Sequence, residues 1–408
     1  MNPNPLEKRL SKDYSPFTPG QPLIDPDFFV GRLDEIRKLD ELVAASTAGK
    51  LKIAFLTGER GIGKSSVAGI ERYIAESRHR VVGIHTFLGG VGTLEELVRR
   101  VFDRVVKESV GKDWQGRVFD YLGIQIKDIG LFGFKVGFDP SPQDLRQLVD
   151  NFVPAFRDLI QKLQGEKRGV FLILDDINGL AESSAFANWF KSLVDEVATS
   201  KAPFPLTILI VGLEERRQSL IGLQPSLARV FDVIPIRELS DPETVEFFAK
   251  SFDQVNIAVD PDALNRMVRY AGGLPVLAHE IGDAAYKIDT DGRITLADAT
   301  SAVLQAAQIV GLKHVEPLVF SAIRSQKYRE ILRLVADDDA AGPEFKRSAL
   351  QERLDTRQKT VLDNFLTRMK DLGVISPATN RGPGYYDFVN RLHWFYFWME
   401  AQRAKEAA

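Results

Sequence analysis

The sequence predicts an α/β protein in which a parallel sheet is covered by helices on both faces, followed by a helical lid and a C-terminal winged-helix domain. Three observations carry this prediction. Strand-like and helix-like segments alternate from about Phe28 to Leu239, the order that builds parallel sheets. The stretch TGERGIGKSS (57–66) joins one such strand to a helix. The end of the chain reads as three helices and a hairpin, the winged-helix variant of helix-turn-helix.

The elements follow in order. Residues 1–27 are polar and hold six prolines, Pro3, Pro5, Pro16, Pro19, Pro22 and Pro26, so they read as an extended arm. Leu33, Ile36, Leu39 and Leu42 fall on one helical face. KIAFLT (52–57) is a short buried-type strand, and SSVAGIERYIAES (65–77) continues as a helix. RVVGIHTF (80–87) and TLEELVRRVFDRVV (93–106) are the next strand and helix, and 147–164 is another helix. GVFLILDD (169–176), LTILIVG (206–212) and DVIPI (232–236) complete five strands. GIQIKDIGLFGFKVGF (123–138) alternates apolar and polar residues about glycines, the pattern of an inserted β-hairpin. It either closes a sheet edge or meets a partner.

The α/β domain is thus expected over 28–239. A helical lid follows at 240–315. Ser240-Asp-Pro-Glu243 has capping-box spacing with proline in the first turn, and Asp260-Pro261 opens a helix that Gly272-Gly273 stops. From 316 to 408 the helices 328–336, 345–354 and 360–372 lead to a turn at Gly382-Pro383-Gly384 and the strand-like YYDFV. The aromatic run YYDFVNRLHWFYFWMEAQ (385–402) reads as core.

The totals narrow the function classes. With 408 residues the chain exceeds one ordinary core. Its net charge of −3 gives no overall basic field for nucleic acid or an acidic membrane. It has no cysteine, which removes disulfides and thiolate chemistry and fits a cytoplasmic protein. Its five histidines show no metal-ligand spacing, and no apolar run is long enough to span a bilayer, so no membrane partner is expected.

The chemistry lies in two acid- and glycine-marked strand ends. Gly58-x-x-x-x-Gly63-Lys64-Ser65 matches the phosphate-binding P-loop, which makes this a P-loop NTPase sheet. Glycines let backbone N–H groups surround a polyphosphate, and the following helix aims its free N–H groups and positive dipole end at it. The cradle comprises Gly58, Glu59, Arg60, Gly61, Ile62, Gly63, Lys64, Ser65 and Ser66. Lys64 would reach the β- and γ-phosphates, and the Ser65 hydroxyl would ligate Mg²⁺. FLILDD (171–176) ends a buried strand in two acids. Asp175 would hold the metal through water, and Asp176 would orient or deprotonate the attacking water.

Phe28-Phe29-Val30-Gly31-Arg32 ahead of a helix, the P-loop about 30 residues later and LILDDINGL together resemble the AAA+/STAND ATPases, and within them the archaeal-type ATPases and origin-recognition-like proteins. Ser226-Leu-Ala-Arg229-Val-Phe231 resembles the stretch that carries an arginine finger there, and Gly273-Leu274-Pro275 resembles the STAND G-x-P motif. The resemblance implies ATP and ADP as ligands with Mg²⁺, an adenine pocket lined by Val30 and Gly31, and Arg229 sensing the γ-phosphate in its own subunit or a neighbour's. Pro275 would couple the lid to the nucleotide. The resemblance further implies a slow ATPase that acts as a switch, in a homo-oligomer or with a protein partner. Two features depart from the group: no arginine marks a second sensor in the lid, and LTILIVG ends in Gly212-Leu213 before Glu214 rather than in a polar first sensor. Both fit slow turnover.

In a winged helix the third helix enters the major groove. Arg357, Gln358, Lys359 and Thr360 begin that segment, with Val361, Phe365, Met369 and Leu372 on its buried face, and Arg381 lies near the wing. From 321 to 408 there are 15 Lys/Arg against 12 Asp/Glu, and DDD at 337–339 opposes a phosphate backbone. DNA contact and protein contact both remain open for this module.

Overall fold

The computed structural model describes residues 14–23, 25–109, 112–113, 115–122, 140–163, 167–315, 322–337, 343–378 and 381–406. The hairpin expected at 123–138 lies outside the described residues. The chain divides into two compact units, one of residues 22–237 and one that joins the start of the chain to 238–408.

The first unit is a five-stranded parallel sheet. Its strands are β1 (Lys52–Thr57), β2 (Val82–Phe87), β3 (Val170–Asp175), β4 (Leu206–Gly212) and β5 (Asp232–Pro235), in the order β2-β3-β4-β1-β5. The helices between them are α1 (Leu33–Ser46), α2 (Lys64–His79), α3 (Leu94–Ser109), α4 (Gln115–Leu122), α5 (Pro142–Asp150), α6 (Phe152–Lys162), α7 (Ser184–Thr199) and α8 (Glu214–Leu223). Strand residues alternate between two buried faces. Ile53, Phe55, Val82, Ile84, Val170, Leu172, Ile208 and Ile210 form one core with Phe102 of α3, Phe156 of α6 and Phe190 of α7. The opposite face lies under α1 and α2. With both faces covered, the strands are almost wholly apolar, as their sequences indicate.

Several boundaries move from expectation for local reasons. The helix expected at 147–164 is broken at Asn151, which has φ −115° and ψ 31°. Pro154 lacks the N–H that a continuous helix would use there, and its ring opposes the preceding turn. β2 starts at Val82 rather than Arg80, because Arg80 takes a left-handed conformation at the end of α2.

In the second unit, α9 (Asp241–Asp253) opens with the capping box expected at Ser240 and Glu243. α10 (Pro261–Ala271), α11 (Pro275–Ile288) and α12 (Leu296–Val310) complete the lid with a two-stranded pairing of β6 (Ala258–Val259) and β7 (Arg293–Ile294). The arm begins in this core: Phe17 is buried, its ring 5.0 Å from Phe252 and 5.9 Å from Phe247. The Thr18 N–H donates to His279 Nδ1 at 3.1 Å.

The winged-helix part consists of α13 (Gln326–Ala336), β8 (Glu344–Lys346), α14 (Arg347–Arg353), α15 (Thr356–Lys359), α16 (Leu362–Asp371), β9 (Ile375–Pro377), β10 (Tyr385–Phe388) and α17 (Arg391–Glu406). The wing is a three-stranded antiparallel sheet, β8-β10-β9, with Gly382-Pro383-Gly384 between its last two strands. The expected third helix is split at Thr360-Val361, a β-branched pair whose threonine hydroxyl bonds back to the Arg357 carbonyl at 2.8 Å.

Lid and winged helix share one core. Tyr270 at the end of α10 sits 4.5 Å from the Trp398 ring and 6.2 Å from Phe395, both on α17. The Arg391 Nη2 donates to the Arg269 carbonyl at 3.2 Å and so covers the C-terminus of α10. Gly272 stops α10 in a left-handed conformation (φ 53°), which favours glycine, and the Arg391 guanidinium packs over it. The aromatic run of α17 is core: Trp394, Phe395, Tyr396, Phe397 and Trp398 are all buried. Among the described residues, no helix is long and apolar enough to cross a membrane.

Candidate nucleotide site

The glycine-rich loop leaves the C-terminal end of β1 and turns into α2. Gly61 (φ 82°) and Gly63 (φ 94°) occupy left-handed conformations that side-chain-bearing residues rarely adopt. Gly58 fits for a different reason: a Cβ there would lie 2.9 Å from the Ile236 carbonyl oxygen. Gly63 caps α2 with no side-chain hydrogen bond, so the first N–H groups of the helix have no side-chain acceptor. Glu59 and Arg60 are exposed, Ile62 is buried, and Ser65 is half-buried at the helix start. Ser66 is committed elsewhere, since its Oγ accepts the Leu23 N–H at 2.9 Å.

Lys64 folds back over its own loop. Its Nζ donates to the Gly58 carbonyl at 2.8 Å and the Glu59 carbonyl at 2.7 Å. Burial lowers its pKa to about 8, against the opposing pull of Asp175, Asp176, Glu59 and Glu215. Those acids therefore lie within electrostatic reach of the ammonium group. The strand order explains why. Only β4 separates β1 from β3, so the loop and the acid pair stand about 10 Å apart along one sheet edge.

The two acids differ in setting. Asp175 is the last residue of β3 and is 3% exposed. Its Oδ2 is hydrogen-bonded to His85 Nε2 at 2.9 Å. Asp176 is exposed, has φ 61°, and accepts a hydrogen bond from Asn178 Nδ2. A left-handed aspartate is a mildly strained conformation that turns its carboxylate away from the strand direction. Gly89, after β2, makes room for it: a Cβ there would be 3.0 Å from Asp176 Oδ2.

Sequence reasoning passed over three residues here. Glu214 opens α8 directly after β4, and its Oε2 accepts the Thr57 hydroxyl at 3.2 Å. Arg217 binds the same carboxylate, at 2.9 Å through Nε and 2.5 Å through Nη2. Glu214 is held below the usual carboxylate range, first by the Arg217 hydrogen bond. Arg32, buried with a left-handed backbone, donates to the Ile62 carbonyl at 3.3 Å and to the Arg237 carbonyl, tying the phosphate loop to the chain after β5. His85 is the third. Glu214 follows the apolar run of β4 by two residues, the cue that could have found it.

The other expected residues are placed as follows. Val30 is buried and Gly31, with φ 69°, precedes α1. Arg229 is exposed and lines a cavity of about 470 Å³ with Lys50, Lys52 and Asp232, at the N-terminal edge of the sheet. β1 runs six residues from that edge to the phosphate loop, about 17 Å. The expectation that Arg229 senses a γ-phosphate in its own subunit is therefore corrected, because it stands at the wrong end of the strands. Pro275 is the first residue of α11, in the second unit. Gly273 before it is packed against backbone, with a Cβ position 2.2 Å from the Leu239 carbonyl oxygen. In the winged helix, Arg357, Lys359 and Thr360 are exposed. Gln358 is not free for base contact: it is 8% exposed and completes a capping box with Asp355. Arg381 pairs with Glu344 at 3.2 Å.

The oxygen donors Ser65 and Asp175 suit a hard divalent cation, Mg²⁺ in type. Among the described residues, no group of three His, Cys, Asp or Glu side chains could hold a metal by itself. Such a cation would thus complete its shell with phosphate oxygens and water, as Mg²⁺ does.

A P-loop beside β1, an acid pair closing β3 and this strand order define a P-loop NTPase domain. Residues 29–210 match the family model described as AAA ATPase domain. Across the whole chain the fold is similar to that of a Walker-type ATPase of Pyrococcus abyssi, with a TM-score of 0.56 at 17% identity, covering 93% of this chain and 98% of that one. It is also similar to the ORC2 protein of Aeropyrum pernix in ADPNP–ADP complexes, with a TM-score of 0.55 at 13% identity, covering 94% and 98%. A curated relative, an uncharacterised HTH-type transcriptional regulator of Methanocaldococcus jannaschii, is 35% identical over 75 residues. That match spans 18% of each chain.

Proposed function

We propose that the protein binds Mg-ATP at the Gly58–Ser66 loop and hydrolyses it slowly, as a switch that controls assembly or partner binding. The observation that carries this reading is Lys64, first residue of α2, folded onto the Gly58 and Glu59 carbonyls within the field of Asp175 and Asp176. Phosphate oxygens would replace the Gly58 and Glu59 carbonyls as acceptors for its Nζ. Backbone N–H groups of the loop and of the first turn of α2 would bind the remaining oxygens. Ser65 and Asp175 would hold a magnesium ion, which supplies charge neutralisation across the β- and γ-phosphates. Asp176 would orient the attacking water and take its proton.

Slow turnover follows from this residue set. Asp176 is a short acid at the water-positioning site and already accepts from Asn178. Val30 and Gly31 are assigned to the adenine side of the nucleotide. Arg229 is assigned to a neighbouring subunit's nucleotide, because its own is out of reach. That role requires a homo-oligomer. The lid and winged helix share a core, so the switch would shift them together. The test is Lys64→Ala: loss of binding to a fluorescent ATP analogue is expected, and unchanged affinity overturns the site.

A second reading, DNA binding through the winged helix, draws on the HTH-type name of the curated relative and on the exposed Arg357 and Lys359. Gel-shift titration with varied salt tests it. A steep loss of binding with salt supports phosphate contacts, and no binding at low salt with or without ATP removes the reading.

A further inference from the structure

The metal-side aspartate has a dedicated partner on the neighbouring strand. β2 and β3 run parallel with Phe87 opposite Asp175 and His85 opposite Ile173. His85 and Asp175 therefore point to the same face of the sheet, one step apart. Their side chains are 6% and 4% exposed and meet at 2.9 Å through Nε2 and Oδ2. An ionised carboxylate only accepts, so His85 Nε2 carries the hydrogen of this bond. The Phe87 ring stacks on the imidazole, 4.4 Å between centroids and 23° between planes, which limits its rotation. The Lys64 ammonium and Asp175 also lie within each other's field. Asp175 thus has one oxygen fixed by a buried donor, and Oδ1 is left for a cation or its water.

We infer that His85 is a positioning residue for the metal: it orients the Asp175 carboxylate so that Oδ1 faces the cation, and it sets the magnesium affinity of the nucleotide site. This rests on the Mg-ATP reading above. A partner that orients a metal-binding carboxylate acts through geometry, and losing such a partner typically weakens metal binding about 10–100-fold. Without His85, a nearly dry carboxylate would lack its donor and would turn toward Lys64 instead. The nucleotide's own contacts with the loop amides and Lys64 do not involve the imidazole.

The experiment compares the full-length chain with His85→Phe, which keeps a ring but no donor, and His85→Gln, whose Nε2 can replace the imidazole nitrogen. Binding of a fluorescent ADP analogue is measured in EDTA, and Mn²⁺ binding to the ADP-loaded protein is titrated by electron paramagnetic resonance. The expected result is unchanged ADP binding in EDTA for all three proteins. His85→Phe should need about tenfold more Mn²⁺ or greater for half-saturation, and His85→Gln should return toward the parent value. Equal Mn²⁺ half-saturation in His85→Phe and the parent overturns the inference. So does equal impairment of both variants with ADP binding in EDTA intact, which would mean that supplying a donor at this position does not restore the metal site. Lys64→Ala is carried alongside: if it binds ADP like the parent in EDTA, the nucleotide-site reading fails, a result separable from either His85 outcome.

Discussion

The Thr57 hydroxyl and the Glu214 carboxylate meet at 3.2 Å, joining the last residue of β1 to the first residue of α8. The bond spans the root of the phosphate loop, and Arg217 holds the same carboxylate from the other side. Charged hydrogen bonds of this kind are worth about 1.5–3 kcal/mol. Glu214→Ala should therefore lower the hydrolysis rate by about tenfold or more, with a smaller change in ATP affinity, because the loop amides and Lys64 remain. Single-turnover kinetics beside equilibrium ATP binding checks this, and an unchanged rate rejects it.

Lys64 gives ATP binding a pH dependence with a definite sign. Its pKa in the free protein is about 8, and a bound polyphosphate raises it. The lysine's contribution is complete below about pH 8 and is lost as pH rises from there through the higher value of the bound state. Affinity should fall by up to about tenfold per pH unit over that window. Titration of a fluorescent analogue between pH 7 and pH 10 checks it, and the slope should vanish in Lys64→Met.

Glu71 on α2 is fully buried, and neither carboxylate oxygen has a hydrogen-bond partner. Burial pushes its pKa up to about 9, helped by Asp40 and opposed by Arg78. A carboxyl raised above its unfolded value costs stability as pH rises from the unfolded pKa toward the folded one. Glu71→Met should stabilise the first unit by about 2–4 kcal/mol at pH 8, with little gain at pH 4. Thermal melts at both pH values measure this, and an equal shift at both would contradict it.

Gly89 borders the proposed water-positioning acid. Gly89→Ala places a methyl group 3.0 Å from Asp176 Oδ2. Displacing a reacting group by a fraction of an ångström to 1 Å can cost up to about 100-fold in rate. The substitution should slow hydrolysis while leaving ADP binding near the parent value. Equal rates would place Asp176 outside the chemistry.

Much of this site was legible because it depends on local rules. Glycine spacing, an apolar strand before Gly58 and two acids after FLIL are all short-range signals. β4 coincides with the expected LTILIVG, and the capping box at Ser240 is present as expected. Whose nucleotide Arg229 could meet stayed open in the sequence because its distance from the phosphate loop depends on strand direction and order, which no short window contains. His85 was invisible for the same reason, since it meets Asp175 across two strands; Glu214 could be seen after β4, but its bond to Thr57 could not. The break at Asn151 was readable from Pro154 but was masked by a continuous apolar periodicity.

The Tyr270 ring lies tilted against that of Trp398, 4.5 Å between centroids, and this contact bears on how the second unit can move. Two segments more than a hundred residues apart in sequence are welded by aromatic contacts into one lever. Through these contacts, whatever tilts the lid also carries the wing. Conversely, a partner that clamps the wing would resist any displacement of the lid.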